Sequence, residues 1–362
     1  MKSKYKLKVS GLLEDPEWDA FVAGTPGGHH VQTSCWARVK SFLNWKAIRI
    51  SVTDDNQIFG GTQILMRSLP LTGNIGYVTK GPLFSHEDPY LVEIVLDKII
   101  QISRQNRCQF MAIQPPNNGK YLCSVLESLK FCPSNLELAP TASLVIDLRQ
   151  GQEIIIKQMR RETRRNIHRS ERAGVSVCEG DESDLDIFYS LYLKTAQRQG
   201  FIAYNRKYFD IMWQNFAPLG WIALLIVRCG NEAVSSQLLI PFGDTVITKM
   251  IGWSGVHSKC YPNDALLWAS ILWAEKHGYK YFYFEGLDPM GARAVLNGQE
   301  MPEVPSTSKD IIKYGYGGEV VLYPPVYDFV PNKTFNWFYR RIQHITGGNL
   351  LYYRFAEHLR KR

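Results

Sequence analysis

The sequence predicts an α+β protein of two similar domains, built on mixed, mostly antiparallel sheets flanked by helices. Three observations carry this. The chain has 362 residues, enough for two cores. One order of elements, antiparallel strands, then a helix, then a strand, occurs twice along it. Its composition, 45% hydrophobic and 21% charged, is that of a globular chain, and no run of about 18 apolar residues interrupts it.

In the first module QIFGGTQILMRSLP and NIGYVTKGPLF read as strands. YLVEIVLDKIIQISRQNRC reads as a helix, and QFMAIQPP as the strand that follows. In the second, WIALLIVRCG and AVSSQLLIPFG read as a hairpin about Gly230 and Asn231, and TVITKMIGWSG as a third strand. The helix NDALLWASILWAEKHG buries Leu266, Leu267, Ser270, Ile271 and Ala274 on one face. Asn263 or Asp264 is expected to cap its start, and His277 with Gly278 to end it. The strand YKYFYFEGL closes the module. Gly60–Gly61 to Gln114 spans nearly the same length as Ala233–Val234 to Glu285. This order resembles that of the GNAT acyltransferase fold, and a tandem-GNAT protein is expected. The expected domains are residues 1–150 and 151–362, the second opening on a basic linker helix.

That linker, LRQGQEIIIKQMRRETRRNIHRSERAGV, places Ile156, Met159, Thr163 and Ile167 at helical spacing. It reads as one amphipathic helix ended by Gly174. Its other face carries Arg160, Arg161, Arg164, Arg165, Arg169 and Arg172 against Glu162 and Glu171 alone. Such a run is ordinarily a solvated face. Here the imbalance favours a phosphate-bearing or acidic partner. The net charge of +8 agrees with such a partner without identifying it. The C-terminal FNWFYRRIQHITGGNLLYYRFAEHLRKR mixes aromatic and basic residues. It reads as a helix docked on its domain, an interfacial membrane contact, or a nucleic-acid surface.

The seven cysteines are scattered, with no C-x-x-C, and read as reduced core thiols. The histidines show no zinc spacing, so no metal is expected. His29 and His30 read as a capping or packing pair. The N-terminus carries lysines without a long apolar segment, which suggests a cytoplasmic protein.

Five segments, in order, resemble the Fem (FemABX) peptidyltransferases. GHHVQTSCWARVKSFLNW resembles the family's Q-x-x-x-W-x-x-x-K motif at Gln32, Trp36 and Lys40. GYVTKGPLF resembles its K-G-P turn at Lys80, Gly81 and Pro82. MRRETRRNIHRSERAGV resembles its linker helix. IGWSG with LLWASILWAEKHGYKYFYFEGL resembles its second GNAT core, and IIKYGYGGEVVLYPPVYDFVPN its F-K-x-G-F-G-G-E-V segment. The resemblance implies transfer of an amino acid from aminoacyl-tRNA to the side-chain amine of the stem peptide of a peptidoglycan precursor. That precursor would be UDP- or lipid-linked muramyl-pentapeptide, with peripheral contact at the inner face of the membrane and no cofactor. It implies a catalytic role for Lys313 and a phosphate-binding role for Lys40. Arg161, Arg164, Arg165 and Arg169 then become candidates for tRNA phosphates.

The chain departs from the family in places. Tyr204 stands where a basic residue is common, with Arg206 two positions on and Tyr208 in place. Gln114 stands where an acidic residue is common. No heptad arm fits between Trp213 and Trp221, and Gly286–Ser308 matches poorly.

The transition state of aminoacyl transfer is anionic at the former carbonyl oxygen and at the leaving ribose oxygen, and a preorganised cation stabilises it by several kcal/mol. Lys313, between apolar Ile312 and Tyr314, suits that task. Gly315, Gly317 and Gly318 would let the backbone approach a ligand or turn sharply. The plain alternative is a lysine on a surface strand. Lys80 reads as an ordinary turn lysine. Trp36 sits one turn before Lys40. Tyr204, Tyr208 and Trp253 are either walls for the sugar or stem peptide, or core aromatics. Glu285 is a candidate proton acceptor or a structural strand-end residue. Two rivals stand: an acyl-CoA-dependent GNAT N-acyltransferase and a non-catalytic binding protein. The first needs a phosphate-cradling [QR]-x-x-G-x-[GA] turn, which is absent from the sequence.

Overall fold

The structure, a computed structural model, describes residues 5–69, 73–134, 136, 138–299, 309–332, 336, 337 and 341. The chain divides into two compact units. One comprises the chain through Ala139 and again from Tyr323, and the other Pro140–Leu322.

The first unit contains β1 (Lys6–Ser10), α1 (Pro16–Gly24), α2 (Ser34–Ser41), β2 (Lys46–Asp54), β3 (Gln57–Leu69), β4 (Gly73–Thr79), β5 (Leu83–Phe84), α3 (Pro89–Gln105), β6 (Cys108–Gln114), α4 (Leu122–Ser128) and β7 (Cys132–Ser134). The second contains β8 (Ala142–Asp147), α5 (Gln152–Gln158), α6 (Arg161–Arg172), β9 (Val175–Gly180), α7 (Leu185–Gln199), α8 (Arg206–Phe216), β10 (Ala223–Cys229), β11 (Glu232–Phe242), β12 (Thr245–Trp253), α9 (Pro262–Lys276), β13 (Tyr281–Tyr283), α10 (Pro289–Leu296), α11 (Lys309–Tyr314) and β14 (Glu319–Leu322). A last strand, β15 (Val326–Phe329), returns to the first unit.

The repeat is real in three dimensions. In the first sheet β2, β3 and β4 run antiparallel, and α3 then carries the chain to β6, parallel to β4. In the second, β10, β11 and β12 run antiparallel, and α9 leads to β13, parallel to β12. A parallel neighbour requires a crossover, which is why a helix falls at that point of each module. α3 starts at Asp88, whose carboxylate accepts from the Tyr90 N–H, with Pro89 at the first helical position. It buries Leu91, Val95, Leu96, Ile99 and Ile102 at helical spacing against Ile64, Val78 and Met111. α9 buries the five residues expected of it, and ends at His277 with Gly278 left-handed.

Three expectations are corrected. The second unit does not run from 151 to 362. β8 pairs with β13 and so begins the second sheet earlier, while β15 pairs with β6 and β7 of the first. The basic linker is two helices, α5 and α6, broken at Met159 and Arg160, both extended. Neither Asn263 nor Asp264 caps α9. Tyr261 precedes it in a left-handed conformation with Pro262 at the first position, and Asn263 instead accepts from Ser235 Oγ at 2.7 Å. The aromatic–basic C-terminal segment lies outside the described residues apart from Asn336, Trp337 and Arg341. Among the described residues no helix is long and apolar enough to cross a membrane.

Candidate active site

In the second unit Lys313 stands on α11, not on a strand. Its Nζ donates to the carbonyl oxygens of Glu285 at 2.7 Å and Gly286 at 3.0 Å. These residues follow β13, where the strand parts from β12 and continues its pairing with β8. β12 and β13 pair only over Thr245–Ile247 and Tyr281–Tyr283. Beyond them the chain stays bonded to β8: Phe284 donates to Leu144 O, and Gly286 to Ala142 O. The ammonium is therefore fixed just past the last rung of the parallel pair. Ile311, Ile312 and Lys313 are all half-buried. Asp288, whose N–H donates to Asp310 Oδ2 at 2.9 Å, caps α10 through Gly291 N–H at 2.7 Å.

The glycines after Lys313 approach the protein itself and turn sharply, the second of the two roles expected of them. A Cβ on Gly317 would fall 2.6 Å from Gln158 O, and one on Gly318 2.4 Å from Val145 O. Both glycines have positive φ. Gly315 lies against Thr163, and its carbonyl accepts from Arg160 N–H at 2.8 Å. The glycine segment thus wraps the break between α5 and α6. Beneath it, Tyr316 Oη donates to Asp264 O at 3.0 Å. Burial pushes the Asp264 carboxyl up to about 6, against a hydrogen bond with Asn166 that lowers it and with the charge of Glu162 adding to the rise.

The four linker arginines differ. Arg164 Nη1 donates to the carbonyls of Ile156, Lys157 and Met159 at 3.3, 3.2 and 2.9 Å, and so caps the end of α5. Its Nη1 is thus engaged by the protein's own backbone, unlike the side chains of its neighbours. Arg165 pairs with Glu162 at 2.5 Å, an exposed pair that a phosphate can displace. Arg169 donates to Tyr261 Oη at 2.9 Å over the Tyr261 ring. Arg161 is exposed beside exposed Arg160, and among the described residues no side-chain partner of Arg161 is found.

Arg206 forms ion pairs with Asp186 at 2.7 Å and with Asp210. With two carboxylates already on it, it is poorly suited to a precursor phosphate. Tyr204 and Tyr208 stack at 4.2 Å; Tyr208 is core, and Tyr204 is half-buried. The Trp253 ring lies 4.6 Å from the Arg198 guanidinium, and its carbonyl accepts from it. Glu285 is half-buried, and its backbone anchors Lys313.

In the first unit the opening motif is chiefly structural. Gln32 is buried: its Nε2 donates to Thr79 O at 2.7 Å, and its Oε1 accepts from Gln63 N–H at 2.7 Å, joining the strands. His29 caps the short turn before α2 and stacks on His30, which packs edge-on against Trp36. Trp36 is therefore a core residue. Lys40 is half-buried, its ammonium 5.1 Å from the Trp36 ring centroid. Gln114 is fully buried in a two-way bond with the Ala139 backbone, the role of a backbone pair and not of an acid. Lys80 corrects the expectation of a turn lysine. It is fully buried, donates to Asn117 Oδ1 at 2.7 Å, and lies 4.3 Å from the Tyr323 ring centroid.

Neither crossover helix offers a nucleotide-phosphate cradle at its N-terminus. Asp88 already occupies that of α3, and Pro262 removes an N–H from that of α9.

The FemAB family profile matches residues 13–124, and an acetyltransferase (GNAT) domain profile matches residues 157–292. A lipid II:glycine glycyltransferase of Staphylococcus saprophyticus is 24% identical over 237 residues, covering 62% of this chain and 57% of that protein. Its namesake from Staphylococcus aureus is 23% identical over 227 residues, covering 60% and 54%. A crystal structure of FemX superposes with a TM-score of 0.77 at 17% identity, over 91% of this chain and 99% of that one. The chain is similar to the Fem family in both sequence and fold. The fold is a tandem GNAT fold: a tandem GNAT protein from the clavulanic acid pathway aligns over 90% of the chain and 98% of its own, with a TM-score of 0.50 at 10% identity. The matched segments span little more than half of the Staphylococcus relatives.

Proposed function

We propose that this protein is an aminoacyltransferase. It moves an amino acid from aminoacyl-tRNA to the side-chain amine of the stem peptide of a lipid-linked peptidoglycan precursor, building the interpeptide bridge. The observation that carries the reading is the Lys313 ammonium, fixed by two carbonyls where β13 leaves β12. The names of the relatives, lipid II:glycine glycyltransferases, support the precursor class. In the reaction the amine nitrogen attacks the ester carbon. The ester C–O bond breaks as the amide forms, and the amine proton ends on the departing ribose oxygen. Lys313 holds negative charge on the oxyanion and the leaving oxygen, and its two carbonyl anchors spare it reorganisation as that charge develops. Glu285 is the candidate to take the amine proton. Lys40 is assigned to the precursor phosphates. Tyr204 and Trp253 are assigned to its sugar and peptide. Arg161, with Arg165 and Arg169 flanking it, is assigned to the tRNA backbone. Contact with the membrane surface is expected of the aromatic–basic C-terminus.

The test incubates the protein with a total aminoacyl-tRNA pool and with nucleotide-linked and lipid-linked pentapeptide precursors in parallel. The expected outcome is a mass gain of amino-acid residues on the lipid-linked form, abolished by RNase. Transfer from acyl-CoA with neither precursor modified would overturn the reading.

A further inference from the structure

We propose that Cys229, His257 and Cys260 form a zinc-binding site, with Glu232 orienting the histidine. The Sγ atoms of Cys229 and Cys260 and a ring nitrogen of His257 all lie within 4.8 Å of one another. Around a tetrahedral zinc, ligand atoms stand about 3.3–3.8 Å apart, so small side-chain rotations close the site. The residues come as two matching turns. Cys229 and Glu232 bracket Gly230–Asn231, the hairpin turn between β10 and β11. His257 and Cys260 bracket Ser258–Lys259 in the loop before α9. His257 Nε2 lies 3.0 Å from Glu232 Oε2. That leaves Nδ1 as the ligand atom and reproduces the carboxylate–histidine–metal arrangement that fixes a ligand's tautomer. Two thiolates and an imidazole select zinc over the hard cations. His257 is exposed, which gives the ion an entry path and the fourth position to a water.

Binding exchanges ions in balance: one Zn²⁺ enters as two thiol protons leave, so affinity falls as pH falls. The site would clip the hairpin to a loop with two left-handed non-glycine residues, His257 at φ +58° and Tyr261 at φ +51°. Tyr261 is the residue on which Arg169 rests. The absence of C-x-x-C and of zinc spacing among the histidines predicts no metal. The turns here are mixed, C-x-x-E and H-x-x-C.

The test uses the full chain, reduced and stripped of metal, titrated with cobalt chloride and then zinc chloride. The expected result is a saturable cobalt spectrum with sulfur-to-metal charge-transfer and tetrahedral visible bands, bleached by zinc. It should vanish in the Cys229→Ser/Cys260→Ser double variant. Glu232→Gln, which keeps all three ligands, should fold and bind zinc about 10–100-fold more weakly. Zinc should also raise the thermal midpoint of the parent chain and leave that of the double variant unmoved. The proposal fails if fully reduced chain shows no such spectrum, or if the double variant retains it. It fails equally if intact-mass analysis under non-reducing conditions finds Cys229 and Cys260 joined as a disulfide.

Discussion

Lys313 and Arg164 are both cations on helices, and both donate to backbone carbonyls, yet they do different work. Lys313 reaches two carbonyls on a loop where β13 has parted from β12. Arg164 reaches three at the end of the helix before its own. Lys313→Met should therefore lower turnover by about 10²–10³-fold, as loss of a preorganised transition-state donor does, with little change in KM for the precursor. A proportional rise in KM with turnover intact would reassign Lys313 to substrate binding. Arg164→Ala should instead cost about 1–3 kcal/mol in stability, because carbonyls at the end of α5 lose their cap. Under the proposed function, the salt dependence of tRNA binding would separate it from its neighbours. Replacing Arg160 and Arg161 with alanine should flatten the slope of log Kobs against log salt by about one to two units, and Arg164→Ala should leave it unchanged.

The lesson at the scale of elements lies in the fit between the α5–α6 break and the glycine segment. The stripes of α3 and α9 were legible in the sequence, because a 3.6-residue period of apolar residues has one good reading. The break was not. Ile156, Met159, Thr163 and Ile167 keep helical spacing through it, and its cause is a partner some 150 residues away, the Gly315 carbonyl that takes the Arg160 N–H. The glycines were legible as special but not as to why, since a close approach to a ligand and to one's own carbonyl leave the same trace. The two can be told apart by measurement. Gly317→Ala places a Cβ 2.6 Å from the Gln158 carbonyl at φ +73°, and should cost at least about 2 kcal/mol. Gly174→Ala has φ +70° and nothing within 4 Å, and should cost only about 1 kcal/mol. Equal urea midpoints for the two variants would mean that the glycine segment does not seat on the break.

For the molecule as a whole, module order was legible and the division of the chain was not. The return of β15 to the first sheet is decided by its pairing with β6, more than 200 residues earlier, and no local pattern reports it. Lys80 reads in the sequence as a turn lysine and Asp264 as a possible helix cap, and neither reading reveals that the fold buries the first fully and the second in part. Asp264 has a consequence for global stability. Its carboxyl titrates near 3.8 when unperturbed and is pushed up to about 6 in the fold, chiefly by burial. The folded protein therefore holds this proton more tightly than the unfolded chain. The group's contribution is most favourable below about pH 4 and is lost as pH rises through about 6, a total on the order of 3 kcal/mol. Asp264→Asn keeps the shape and removes the ionisation. Relative to the parent chain, the variant should gain roughly 1–2 kcal/mol of unfolding free energy between pH 5 and pH 7.5. Denaturant titrations of both proteins at the two pH values measure that difference directly. A gap that stays constant with pH would mean Asp264 titrates in the fold as it does in the unfolded chain, and that the floor beneath the glycine segment is wet.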